Sequence, residues 1–187
     1  MDFLIDRSSP VHARLEHLIP SERGMTAKKI CMLGSFSVGK TSLVTRYVHS
    51  IFSDQYLTTV GVKISKKVLV VNGQEVSLVL WDMEGKDEYS NINLSHLRGA
   101  MGLLLVADGL RKETLDEICT LHSSVAALVG DIPCIFLINK TDLAERWEVT
   151  DGDITRLKQQ SFKVMKTSAK TGQGVDTAFL ALTEAML

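Results

Sequence analysis

Apolar residues repeat along this chain in two periods, and the alternation of the two predicts the fold. Lys29-Ile30-Cys31-Met32-Leu33 is apolar without a break after its first residue, the pattern of a short strand buried on both faces. Leu103 to Ala107, Cys134 to Ile138 and Phe162 to Met165 read the same way. Ser42 to Val48, Thr114 to Val129 (closed by Gly130), Asp153 to Gln160 and Val175 to Met186 carry helical spacing instead. One pair stands apart. Val60, Val62, Ile64, Val68 and Val70 form a strand with a polar middle, and Asn72-Gly73 is a strong two-residue turn signal. Val76, Leu78 and Leu80 then alternate on a return strand that ends at Trp81-Asp82. Strands alternating with helices predict an α/β fold: a six-stranded, mostly parallel sheet with one antiparallel hairpin and helices on both faces. Ligands bind such sheets beyond the C-terminal strand ends, where the loops discussed below fall.

Residues 1–27 precede this pattern as an N-terminal extension, and 28–187 form the domain. Ser9 is placed to cap a short amphipathic helix from Pro10, with Val11, Leu15, Leu18 and Ile19 on one face and Pro20 after its end. A helix that short must pack on something. Its polar face mixes Glu16 with Arg14, His12 and His17, which favours cover for its own domain over a membrane or partner anchor.

Composition narrows the class. Over 187 residues, 45% hydrophobic content and a net charge of −1 exclude a disordered chain and a nucleic-acid-coating one. The three cysteines, Cys31, Cys119 and Cys134, are scattered and odd in number, so a disulfide framework is not expected and a reducing, cytoplasmic setting is. The apolar run from Met101 to Ala107 is too short to cross a bilayer. Phe3-Leu4-Ile5, flanked by Asp2 and Asp6, makes no secretory signal, Asp2 excludes N-myristoylation, and the C-terminus has no cysteine to prenylate. A monomer without a lipid anchor is expected, with peripheral membrane association left open.

The chemistry centres on Gly34-Ser35-Phe36-Ser37-Val38-Gly39-Lys40-Thr41, which fits the phosphate-loop pattern between a strand and a helix. Gly34 and Gly39 let the backbone turn so that successive N–H groups face phosphate oxygens. The candidate phosphate-binding positions are Ser37, Val38, Gly39, Lys40, Thr41 and Ser42, at the start of a helix whose dipole favours an anion. Lys40 reaches the β- and γ-phosphates, and the Thr41 hydroxyl suits Mg²⁺. Asp82 ends a strand, and Gly85 follows it in Asp-Met-Glu-Gly. A carboxylate there would hold Mg²⁺ through water, and a glycine N–H would meet the γ-phosphate. Asn139-Lys140-Thr141-Asp142 follows another strand. The Asp142 carboxylate can accept two parallel hydrogen bonds, which suits the N1–H and N2–H₂ edge of guanine and repels adenine's acceptor. Ser168-Ala169-Lys170 is placed to offer a backbone N–H to guanine O6.

In this order and spacing, these motifs resemble the Ras superfamily of small GTP-binding proteins over about residues 28–186. Thr58-Thr59-Val60-Gly61-Val62, Trp81-Asp82 and Arg98-Gly99-Ala100-Met101-Gly102 look most like its Rab branch. The resemblance implies a phosphate-loop G domain that binds GTP and GDP with Mg²⁺ and hydrolyses GTP. It also implies that Thr59 joins Thr41 and Asp82 on the metal, that Phe52 meets the base edge-on and that Lys140 covers the purine. Residues 52–61 and 83–98 would be the switches that face effectors and regulators. Nucleic acid is not an expected partner.

Two departures bear on catalysis. The family usually has Gln after the Asp-x-x-Gly glycine, where this chain has Lys86. An ammonium cannot accept a hydrogen bond from the attacking water. Phe36 stands where the family usually has a small residue close to the γ-phosphate. With Lys40, Gly85 and Lys86 as the candidate catalytic positions, slow hydrolysis is expected. The alternative is an interaction protein that stays nucleotide-bound and hardly hydrolyses. An ATP-dependent kinase is disfavoured, because Asp142 selects guanine and no lid is evident.

Overall fold

The computed structural model describes residues 26–53, 58–85 and 94–187. The helix expected from Pro10, the residue Lys86 and parts of both expected switches lie outside the described residues. The strands are β1 (Thr26–Leu33), β2 (Val62–Val71), β3 (Gln74–Met83), β4 (Gly102–Asp108), β5 (Cys134–Asn139) and β6 (Lys163–Lys166). The helices are α1 (Lys40–His49), α2 (Glu113–Val129), α3 (Asp151–Gln159) and α4 (Val175–Ala185). The sheet runs β2-β3-β1-β4-β5-β6. Only β2 and β3 pair antiparallel, and every other neighbour is parallel. Asn72 and Gly73 both take positive φ, 52° and 76°, as a tight hairpin between right-twisted strands requires.

Alternation along the strands divides the core in two. Ile30, Met32, Leu104 and Val106 pack with α1 and α4 through Leu43, Tyr47, Phe179 and Leu182. Cys31, Leu33, Leu103 and Leu105 face the other way, onto α2 and α3 through Leu115, Ile118, Ile154 and Leu157. Each inner strand is therefore buried on both sides, which is why its sequence is apolar without a break. β2 lies at the edge, so its middle tolerates Ser65, Lys66 and Lys67. Among the described residues, no helix is long and apolar enough to cross a membrane.

The ends of elements differ from the pattern-based expectation. β2 begins at Val62, leaving Val60 outside it and 84% exposed. α1 begins at Lys40, ahead of the expected Ser42, so the last two phosphate-loop residues are already helical. Leu94–Leu97 and Thr141–Arg146 form short 3₁₀ segments where no element was expected. α3 starts at Asp151 and not at Asp153, because Thr150 caps it. The Thr150 hydroxyl accepts from the Asp153 N–H at 3.2 Å, while Asp153 Oδ2 accepts from the Thr150 N–H at 3.0 Å.

This cap carries a stability prediction. The Thr150 side-chain hydrogen bond, with Lys112 at 2.9 Å from Asp153 Oδ1, holds the Asp153 carboxyl well below its usual range. Asp153→Ala should cost about 1–2 kcal/mol at neutral pH, because it removes the carboxylate half of the capping box and its Lys112 contact while leaving the Thr150 cap. Because the folded state depresses the pKa, the charge-dependent part is complete above the ordinary value of 3.8. It is lost as pH falls below that, through the lower folded value. Urea melts of wild type and variant should therefore converge on acidification. A constant gap would mean that the carboxylate charge contributes nothing.

Candidate functional site

The C-terminal ends of β1, β3 and β5 open onto a cleft of about 460 Å³. The phosphate loop forms its floor, and its two glycines are there for close approach as well as for turning. Gly34 has φ 143°, and a Cβ on it would sit 2.2 Å from the Val106 carbonyl oxygen of β4. Gly39 has φ 100°, and its Cβ would lie 2.4 Å from Asn139 Nδ2. Lys40 is only 6% exposed and donates to the Gly34 and Ser35 carbonyls, each at 2.8 Å. Burial pushes its pKa down to about 8, against the opposing pull of Asp82. Ser37, Gly39, Lys40, Thr41 and Ser42 all line the cleft, whereas Val38 is fully buried in the core and does not line it.

Behind Thr41 three oxygen donors converge from α1, β3 and the loop before β2. The Thr41 hydroxyl donates to Asp82 Oδ2 at 2.6 Å and lies 2.7 Å from the Thr59 hydroxyl. Asp82 is 0% exposed, and its other oxygen, Oδ1, has no hydrogen-bond partner. A buried carboxylate oxygen left unpaired is costly, and burial raises its pKa against the Thr41 hydrogen bond. Two hydroxyls and one carboxylate make a hard oxygen set, which fits Mg²⁺ and not a softer metal. Gly85 closes this end: its Cβ would fall 2.5 Å from both Lys40 Nζ and the Ser35 carbonyl oxygen.

At the opposite end, Asn139 is a buried tie between loops. It donates to the Val38 carbonyl at 3.0 Å and accepts from the Ala169 N–H at 3.2 Å and the Thr167 hydroxyl at 3.3 Å. Asp142 Oδ1 accepts from the Ser168 hydroxyl at 2.6 Å. Ser168 is itself fully buried, so it supports the cleft from beneath without lining it. Lys140, Asp142, Ala169, Lys170 and Phe52 do line it, and Phe52 also packs against the core beside α1. Arg46 of α1 donates to the Ala169 carbonyl at 2.8 Å and to the Lys170 carbonyl, holding that loop against the helix.

Several supporting residues had no motif to mark them. Asp108, 2% exposed at the end of β4, accepts from Lys140 Nζ at 2.6 Å and from Arg111 Nε at 3.3 Å. Trp147 Nε1 donates to the Lys140 carbonyl at 2.9 Å and packs over Gly109, where a Cβ would meet the indole at 2.2 Å. Lys63, Ile51 and Leu143 line the cleft as well. A usable signal existed only for Asp108: like Asp82 and Asn139, it is a polar residue ending an apolar strand.

The Ras family model matches residues 29–187. The chain is 35% identical over 161 residues to "Ras-related protein Rab-4" of Dictyostelium discoideum, covering 85% of this chain and 78% of that one. It is 31% identical over 155 residues to "Ras-related protein SEC4" of Saccharomyces cerevisiae, covering 82% and 72%. Against "Ras-related protein Rab-18" of Lymnaea stagnalis it is 31% identical over 173 residues, covering 87% and 82%.

Proposed function

The chain belongs to the Ras family of small GTP-binding proteins, and we propose that it is a Mg²⁺-dependent guanine-nucleotide switch whose hydrolysis is slow. The observation that carries this is the meeting, in one cleft, of Lys40, Thr41 and Thr59 with Asn139, Lys140 and Asp142. The first group suits a triphosphate with its metal, the second a guanine base. Asp82, Thr41 and Thr59 would hold Mg²⁺, which when bound supplies positive charge to the phosphate oxygens. The domain would run from Thr26, where β1 begins two residues ahead of the expected 28, to 187, with the residues before it an extension outside the catalytic machinery.

In this reading Lys40, already desolvated, meets phosphate charge at low dielectric, where one ammonium counts for most. Gly85 lies against the phosphate loop, where a Cβ would fall 2.5 Å from the Ser35 carbonyl oxygen, so its N–H would respond to a terminal phosphate, and the flanking segments 52–61 and 83–98 would present the outcome to protein effectors and regulators. Hydrolysis is in-line attack of water on the γ-phosphorus, for which the protein must still orient the water. Lys86 brings donors only, and Phe36 lines the cleft from the phosphate loop. Those two residues favour slow turnover, or a protein that stays nucleotide-bound and acts by interaction alone. We place it in the cytoplasm as a monomer.

Nucleotide extracted from the purified protein should be GDP or GTP; recovery of adenine nucleotide would overturn the base assignment. In single-turnover assays Lys86→Gln should raise the hydrolysis rate about tenfold, equivalent to about 1.4 kcal/mol of barrier. Phe36→Gly should do less, since it relieves crowding without supplying an acceptor. A rate that falls in Lys86→Gln would reverse the role and make Lys86 a catalytic cation.

A further inference from the structure

We propose that Arg111, at the corner between β4 and α2, is a positioning residue that sets the direction of a phosphate-facing N–H in the phosphate loop. This rests on the nucleotide reading above. Arg111 Nη2 donates to the Phe36 carbonyl at 2.7 Å, across 75 residues of sequence. The guanidinium cannot drift, because its Nε is held by Asp108 Oδ2 at 3.3 Å. That carboxylate is buried and fully engaged: Lys140 Nζ meets the same oxygen at 2.6 Å, and the Leu110 N–H donates to Oδ1 at 3.0 Å. Farther along α2, Glu117 accepts from the Ser35 hydroxyl. Two successive loop residues are therefore gripped from α2 and the turn that leads into it.

What the grip does follows from peptide geometry. In a trans peptide the C=O and the following N–H point in opposite directions, and no peptide bond among the described residues is cis. Holding the Phe36 carbonyl on Arg111 thus aims the Ser37 N–H away from Arg111, the sense a phosphate donor needs. The arrangement requires outside support, because Ser37 sits at φ 63°, a left-handed conformation that favours glycine. Phe36 and Ser37 are ordinary side-chain-bearing residues here, and the Arg111 clamp supplies order that backbone preference does not. Arg111 touches neither base nor phosphate in this role; it acts through the loop.

The test compares GDP with GMP binding to the full chain by equilibrium competition, using wild type, Arg111→Ala and Arg111→Lys. Loss of one charge-assisted hydrogen bond should weaken GDP about tenfold in Arg111→Ala. GMP lacks the β-phosphate, so its affinity should change less than about threefold. Lys at 111 still offers one donor to the Phe36 carbonyl and should restore GDP binding to within about threefold of wild type. Equal losses for GDP and GMP, or a Lys variant as weak as Ala with the same fall in melting temperature, would mean that Arg111 merely stabilises the helix corner. Unchanged GDP binding in Arg111→Ala overturns this proposal alone. A wild-type chain that binds neither nucleotide overturns the nucleotide reading with it.

Discussion

Asp142→Asn should lower the affinity for GTP and GDP by about 2–4 kcal/mol, since a charge-assisted pair becomes a mismatch. The surroundings of Asp142 make the sign firm. Its Oδ1 already accepts from the Ser168 hydroxyl, and that hydroxyl in turn accepts from the Thr171 N–H at 3.1 Å. An Asn side chain keeps the Ser168 contact by leaving its oxygen there, which turns its NH₂ outward. A donor then faces the N1–H and N2–H₂ donors of guanine, with no second acceptor to offer. Titration with fluorescent GDP checks this. Equal affinity in wild type and variant would remove Asp142 from the base site, and a loss accompanied by a lower melting temperature without nucleotide would make it a structural residue.

Gly34→Ala should be the most damaging single change to the phosphate loop. At φ 143° an L side chain is strained, and the added Cβ would lie 2.2 Å from the Val106 carbonyl oxygen. That oxygen belongs to the backbone of a central strand, so it cannot swing aside as a flexible side chain would. Strain and overpacking together should cost about 3 kcal/mol, lowering Tm by about 6–12 °C for a domain of this size. Gly39→Ala meets the Asn139 amide, a side-chain atom that can move, and should cost less stability while loosening the tie between phosphate and base loops. Calorimetry of both variants separates the two cases. A Gly34→Ala protein that melts with wild type would show that the loop relaxes away from β4.

Much of this protein can be read from residue order alone. All six strands and the four main helices of the domain follow from the periods of apolar residues, because burial on one face or two writes itself directly into spacing. The phosphate loop and the Asn139-Lys140-Thr141-Asp142 motif are equally legible, since each packs several chemical requirements into a few adjacent residues. Element ends were less so. The start of α3 depends on a reciprocal cap between Thr150 and Asp153, and a single Asp at the expected start masks it. Contacts between distant segments were not legible at all. Arg111 reaches Phe36, Asp108 is shared with Lys140, and Trp147 covers Gly109, each through a fold that brings separate strand ends together. The sequence by itself therefore determined the fold class and the membership of a GTP-binding family, because those reside in local pattern and residue type. Only the tertiary structure decided why Gly34 has to be glycine, that Asp82 Oδ1 is buried without a partner beside Thr41, and which distant side chains reach the phosphate loop. Those depend on distances between residues far apart in the chain, which no local spacing encodes.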